Sequence, residues 1–492
     1  MNASTDTMNA SDPGAAPSSA TTSTRPLVVD LDGTLIHSDL LWEAVVLFLK
    51  KNVLRAWLLP LWLLRGKAGF KEQLAREVGM DLEPAALPYD QKVLEIVRAE
   101  RARGRTIVLA TGSQRVFAER IAAHLGLFDL VLATDDGINL TSHNKARRLA
   151  ELYGSRGYDY IGNSRADLAV WDDCSDAWCV HSKPFRLADG RSTTHSGSVR
   201  GGAAKALIKA MRPRQWLKNL LVFVPMLAGH ALDLWTFQAA LVAFIAFSLC
   251  ASSAYLLNDA LDAQDDRVHP TKHRRPIASG ALPLPLALVT SPLLALAALV
   301  LCAVTYPLLL MVVVTYFIST VAYSVYLKRL LMVDIVTLAI LYSLRILGGS
   351  AATGIAPSFW LLAFSFFIFL SLALLKRHSE LFNLHREGKE KTRGRGYTTA
   401  DKAPIGIMGI NAAFVSVLIF MLYFNSENVL DLYASPAWLG GILPLLVFWL
   451  GRLWVLAFRG EVNEDPVLYV SKDKVSLIVV ALCLGLAVLA SY

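Results

Sequence analysis

Nine apolar runs of membrane-spanning length fill this 492-residue chain from residue 217 onward, near residues 217 to 232, 236 to 257, 284 to 304, 306 to 326, 332 to 352, 358 to 375, 404 to 424, 437 to 457 and 475 to 491. Inside hydrocarbon each backbone N–H and C=O must be satisfied within its own segment, so runs of this kind are read as helices. At 54% hydrophobic content and a mean hydropathy of +0.44 the chain is too long and too apolar for one soluble domain. The expected fold class is therefore multidomain, with an all-α polytopic membrane domain of about nine helices over residues 211–492.

Charge between the runs sets the orientation. Connections after the second, fourth, sixth and eighth runs carry Arg267, Lys272, Arg274, Arg275, Lys328, Arg329, the basic stretch from Arg386 to Arg395, Arg459, Lys472 and Lys474, whereas the intervening ones carry no Lys or Arg. By the positive-inside rule the charged connections, the amino-terminal domain and the active sites face the cytoplasm of a multi-pass protein in the cell (inner or plasma) membrane. A net charge of +8 then calls for no nucleic-acid partner, because basic loops against an anionic leaflet and phosphate-bearing substrates account for it. All five cysteines are expected as free thiols.

The connection after the second run also carries the strongest chemical signal. Asp259, Asp262, Asp265 and Asp266 follow directly on a membrane-length segment, where uncompensated carboxylates are costly. On a helix Asp259, Asp262 and Asp266 fall at i, i+3 and i+7 and share one face, so with Asn258 they form a candidate Mg2+ site for a diphosphate. Lys272, Arg274 and Arg275 follow at once and can bind phosphate oxygens.

Ahead of the membrane domain, residues 1–24 read as a disordered tail rich in Ser, Thr and Ala, residues 25–190 as a soluble α/β domain, and residues 191–210 as a linker. In the α/β domain three apolar strands, ending at Asp30 and Asp32, at Thr111, and at Asn163 with Asp167, aim polar residues into the crevice at the carboxyl edge of a parallel sheet. These segments resemble the haloacid-dehalogenase-like phosphohydrolases, of Rossmann-like fold. That resemblance implies Asp30 as nucleophile, Asp32 as general acid/base, Thr111 and Lys145 as phosphoryl binders, and Asp30, Asp32, Asn163 and Asp167 around Mg2+. Asn163 stands where many members have Asp, which removes one formal charge from the metal site; a retained scaffold is the alternative to an active phosphatase. The segment 53–67 reads as part of a helical cap, with Trp57 and Trp62 either on the core or at the membrane interface.

The region from about 210 onward resembles the UbiA prenyltransferase superfamily, on Asn258, Asp259, Asp262 and Asp266 and the run Arg212 to Asn219. Within it the likeness is to decaprenyl-phosphate phosphoribosyltransferases, through that run, the segment from Arg274 to Gly280, Tyr323 to Lys328, Arg345 before Gly348 and Gly349, and Lys376 to Glu380. It implies Lys218, Arg275, Tyr323, Lys328, Arg345, Lys376 and Arg377 as substrate-binding residues. The connection after the sixth run is cationic and has no Asp before Asp401, whereas relatives that prenylate aromatic rings have a second Asp-rich motif there. This favours phosphoribosyl diphosphate and polyprenyl phosphate as substrates. Transfer from a prenyl diphosphate lipid to an aromatic or other acceptor is the first alternative, and a lipid carrier or transporter with a regulatory head the second.

Overall fold

The protein is described by a computed structural model over residues 25–51, 55–135, 139–181, 183–195, 202–391, 395–424, 429, 432–462 and 465–491. The expected tail 1–24 and Arg393 lie outside the described residues. Two compact units are formed, one from residues 1–44 and 57–200, the other from 45–56 and 201–492.

Six parallel strands build the first unit: β1 (Leu27–Val29), β2 (Ile107–Gln114), β3 (Leu130–Thr134), β4 (Asp159–Gly162), β5 (Ala177–Cys179) and β6 (Thr194–His195), in the order β3-β2-β1-β4-β5-β6. Leu27, Val28 and Val29 at the centre are fully buried, as a parallel strand covered on both faces requires. The chain reverses direction in strand order at β1, so the carboxyl ends of β1, β2 and β4 open onto one crevice. The residues expected to form a linker, 191–210, include β6 and part of a helix, Ala203–Met211. β6 is edge pairing of Trp178 with Thr194 and of Cys179 with His195, too short to register as an apolar run. Of the two cap tryptophans Trp62 is buried and Trp57 is 63% exposed.

Eight helices of the second unit are long and apolar enough to cross a membrane among the described residues: α1 (Leu234–Leu261), α2 (Leu284–Thr305), α3 (Pro307–Val325), α4 (Val333–Thr353), α5 (Phe359–Arg386), α6 (Thr399–Tyr423), α7 (Pro436–Phe458) and α8 (Lys474–Ser491). Starts are set locally: Asp233 accepts from the Trp235 and Thr236 amides at 3.0 Å, and Ser358 accepts from Leu361 at 3.1 Å.

The ninth expected helix, over 217–232, is absent as such. Residues Pro213–Phe223 form a 3₁₀ helix and Val224–Ala228 one short α-turn. The segment still runs the length of α1 in the opposite sense: Arg212 meets Asp259, Trp216 meets Ser252, Asn219 meets Ser248, and Phe223 meets Phe244 and Phe237. A 3₁₀ helix rises about 2 Å per residue against 1.5 Å in an α-helix, so these few residues reach across roughly 30 Å. Lys218 and Asn219 explain the departure, since both side chains are committed to polar partners. A glycine lets the segment in, since a Cβ on Gly349 would sit 2.0 Å from the Val222 carbonyl oxygen; its neighbour Gly348 lets α1 approach, since a Cβ there would sit 2.3 Å from the Phe247 ring.

Two apolar cores result, one shared by α1 to α4 and one by α4 to α8.

Candidate functional site

In the second unit a cavity of about 260 Å³ is lined by α1, α3, α4 and α5, by Arg212 and Lys218 of the antiparallel segment, and by Pro466 and Val467. Small side chains, Ala251, Ala254 and Ala373, leave the space. Eight cations line it, Arg212, Lys218, Lys272, Arg275, Lys328, Arg345, Lys376 and Arg395, against the one carboxylate Asp262. Tyr323 and Asn258 also line it.

The Asp motif lies at the rim. The expected continuous helix is interrupted: α1 ends at Leu261, Asp262 is the junction, and Ala263–Val268 forms a separate short helix. The i to i−4 bonds persist across the break, Asp262 to Asn258 at 2.9 Å and Asp266 to Asp262 at 2.8 Å, so the spacing survives while Asp262 turns into the cavity. Asp259 and Asp266 are buried behind it. Arg212 donates to both oxygens of Asp259, at 2.6 and 2.7 Å, and Arg275 bridges Asp259 at 3.1 Å and Asp266 at 2.6 Å. Lys328 reaches Asp262 at 3.1 Å and the Asn258 amide oxygen at 3.5 Å. The donor set of carboxylate and amide oxygens suits a hard ion such as Mg2+, and Arg275 stands where it neutralises two of those carboxylates together.

The remaining expected residues divide. Lys218 and Lys376 share Asp465, at 2.7 and 3.3 Å; burial alone would raise that carboxyl, but Lys376 and Lys218 hold it well below the usual carboxylate range. Arg345 forms the floor, donating to Asn219 at 2.8 Å and to the Tyr316 hydroxyl at 2.9 Å, with its guanidinium 4.9 and 5.3 Å from the Tyr316 and Tyr342 rings. Arg377 does not reach the cavity. It is fully buried against Asp334, at 2.5 Å, and Glu380. Residues one apart on an α-helix point about 100° away from each other, so Lys376 faces the cavity and Arg377 the interior of the bundle. Lys272 lines the cavity as a phosphate-binding candidate, and Arg212 enters it from the run Arg212 to Asn219. Sequence reasoning did not place Asp465 or Arg395 in the site; for Asp465 no local pattern could have done so, because its partner Lys218 lies on the far side of the chain.

In the first unit the motif residues converge. Lys145 donates to Asp30 at 2.6 Å and to the Tyr160 hydroxyl at 2.9 Å, and Tyr160 donates to Asp167 at 2.8 Å. Thr34 donates to the other Asp30 oxygen at 3.1 Å. Asp167 also accepts the Asn163 and Ser164 amides, each at 3.1 Å. Asp32 is held by the Leu40 amide at 2.8 Å, Ser113 at 2.6 Å and Thr111 at 3.1 Å, so Thr111 addresses Asp32 rather than Asp30. Gly33, at φ 78°, passes under Asn163, whose amide nitrogen a Cβ would approach to 2.2 Å. Lys71, from the cap helix Gly66–Val78, reaches the Gly112 carbonyl at 2.7 Å. Tyr160, Ser113 and Lys71 are site residues that sequence reasoning missed.

Burial is the main reason that the Asp30 carboxyl rises to about 7, with Asp167 and Asp32 adding to it and Lys145 opposing; burial and Asp39 raise Asp32 to about 6. A carboxyl raised in the folded state favours folding below its unfolded value near 4 and loses that contribution as pH climbs to the folded value. In chelator, then, the first unit's melting temperature should fall between about pH 4 and 7, and Asp30→Asn should flatten part of that slope. A slope identical in the wild type and Asp30→Asn would mean that Asp30 is ionised throughout.

Residues 220–472 match the UbiA prenyltransferase family, and residues 27–171 match the haloacid dehalogenase-like hydrolases. An uncharacterized protein of Sinorhizobium fredii is 35% identical over 483 residues, 94% of this chain and 91% of that one. Nodulation protein NoeC of Azorhizobium caulinodans is 35% identical over 286 residues, 57% of this chain and 92% of its own length. Decaprenyl-phosphate phosphoribosyltransferase of Mycolicibacterium smegmatis is 41% identical over 187 residues, 37% of this chain and 59% of that enzyme.

Proposed function

Because this chain belongs to the UbiA prenyltransferase family and joins to it a haloacid dehalogenase-like hydrolase domain, we propose that it moves phosphoribose from phosphoribosyl diphosphate to a polyprenyl phosphate and then removes the sugar phosphate. The observation that carries this reading is the lining of the membrane cavity, eight cationic side chains and the one carboxylate Asp262, with Asp259, Asp266 and Asp465 behind it as their partners. A prenyl diphosphate brings one diphosphate to bind. Phosphoribosyl diphosphate brings a diphosphate at one end and a monoester at the other, and the lipid phosphate is a third anion, so the excess of cations fits this pair of substrates. The partial match to a phosphoribosyltransferase supports the same choice.

Asp259, Asp262 and Asp266, with Asn258, would hold Mg2+, which when bound neutralises the diphosphate as it leaves. Arg275 and Lys328 pair with these carboxylates and are placed to exchange them for phosphate oxygens. Lys218 and Lys376, both paired with Asp465, bind the sugar's monoester phosphate, and Arg345 with Tyr316 closes the deep end. The lipid phosphate oxygen then attacks the anomeric carbon, forming the new C–O bond as the bond to diphosphate breaks, with no protein nucleophile. The active sites face the cytoplasm in this reading.

In the hydrolase domain Asp30 attacks the sugar phosphate to form an aspartyl-phosphate, and Asp32, near pH 6 in its titration, protonates the leaving hydroxyl and then activates water. Asp30, Asp167 and Asn163 would hold Mg2+ there, and Lys145 neutralises the transferring group. Fusion keeps the second activity at high effective concentration near the first product.

Purified protein in lipid with Mg2+, polyprenyl phosphate and phosphoribosyl diphosphate labelled separately in ribose and in its 5-phosphate tests both steps. Wild type should bring ribose label into the lipid and release the phosphate, while Asp30→Asn should retain both labels. No label in the lipid, together with turnover of a prenyl diphosphate and an aromatic acceptor, would establish the alternative prenyl transfer. Equal phosphate release by wild type and Asp30→Asn would refute the coupling alone.

A further inference from the structure

In the first unit the segment inserted after β1 leaves the core at His37 and returns at Asp90. Its two connections run side by side: Ile36 bridges Tyr89, and the His37 amide donates to the Pro88 carbonyl at 2.8 Å. A third residue comes to the same place from the loop after β5, His181. Its Nε2 lies 2.8 Å from Asp90 Oδ2, and His37 Nε2 lies 3.5 Å from that same oxygen. One ligand atom from each of the three falls within 4.8 Å of the others, and among the described residues no further group of three or more His, Cys, Asp or Glu side chains gathers this closely.

Several details point to a shared cation. Asp90 Oδ1 is committed to capping the helix Gln91–Ala102 through the Val93 amide at 3.0 Å, which leaves Oδ2 to the imidazoles. The His181 side chain is only 9% exposed. Its Nε2 lies 2.8 Å from Oδ2 but off the line of a well-aligned N–H···O bond, so nitrogen and oxygen are placed where they could share a cation. The His181 backbone is also left-handed, at φ 65°, a costly conformation for a residue other than Gly.

We propose that His37, Asp90 and His181 bind a divalent transition-metal ion, zinc first, which clips both connections of the inserted segment to the loop after β5. Two imidazole nitrogens and one carboxylate oxygen are the donors of a borderline ion rather than of Mg2+, and three protein ligands leave a fourth position for water. None of the phosphatase motif residues takes part, so this site is independent of the one around Asp30. A bound ion stabilises whichever arrangement of the connections presents all three ligands.

Full-length protein in detergent, stripped by chelator and then saturated with Mg2+ to fill the hard-oxygen sites, is titrated with Co2+ as the probe. Wild type should take up about one equivalent per chain with a low-coordinate absorption band, without thiolate charge transfer, and Zn2+ should displace it. His37→Gln and His181→Gln should lose the band. Asp90→Asn, which keeps the helix cap, should weaken binding by at least about 10-fold. Metal-free melting of each variant is compared with metal-free wild type, and Asp90→Asn decides if a histidine variant does not fold. No band in the wild type, a band carrying thiolate charge transfer, or equal binding by wild type and Asp90→Asn would overturn the proposal.

Discussion

Asp259→Asn is expected to lower transfer of ribose label into lipid by at least about 100-fold, the scale of losing a preorganised charge at a reacting centre. Asn has nearly the same shape and can still accept one bond from Arg212, which isolates the charge. In the wild type Asp259 is 2% exposed and takes bonds from Arg212 and Arg275 together, so it sets the position of both guanidinium groups; in the proposed mechanism it would also offer oxygens to Mg2+. Asp265 provides the control within the same motif: its side chain is 72% exposed, and Asp265→Asn should retain activity within about 3-fold. Activity of Asp259→Asn within that same margin, with unchanged melting, would remove the Asp motif from the chemistry and leave it a structural counter-ion set for Arg212 and Arg275.

That comparison bears on what the sequence could disclose. The Asp spacing was legible because consecutive helical turns preserve it even through the break at Asp262. Strand ends in the first unit were legible for a similar reason, since Asp30 and Asn163 each follow a short buried strand and Thr111 lies in the second half of another, whose direction the sheet dictates. What could not be read was long-range pairing. Asp465 meets Lys218 and Lys376 only because the antiparallel segment, α5 and the connection before α8 come together at one end of the bundle. The 3₁₀ form of Pro213–Phe223 was equally hidden, as apolar content and length report neither the helix type nor that Lys218 and Asn219 would be drawn to partners elsewhere.

Arg377 presents the sharpest case of this kind and carries the second large effect. Adjacent to the cavity residue Lys376, it reads from sequence as a phosphate ligand, yet Arg377 and Asp334 are both 0% exposed and paired at 2.5 Å, with the Tyr397 hydroxyl donating to Asp334 and its ring 5.3 Å from the guanidinium. Removing one member of a buried pair leaves the other charge under-compensated, here with only the part-exposed Glu380 left to Arg377, whereas removing both together replaces the pair by an apolar contact. Asp334→Leu should therefore destabilise the second unit by about 3–5 kcal/mol, and the double variant Asp334→Leu with Arg377→Met should recover a large part of that loss. Arg377→Met alone should also destabilise, Asp334 then keeping only Tyr397 and Arg395, 3.7 Å away, as Arg377 keeps only Glu380 in Asp334→Leu. Thermal melting in one detergent and lipid mixture measures all three variants. A phosphate ligand predicts the opposite pattern: Arg377→Met would melt like wild type, raise KM for phosphoribosyl diphosphate and gain nothing from Asp334→Leu. The sign of the coupling between the two substitutions thus decides whether this cation holds the bundle or the substrate.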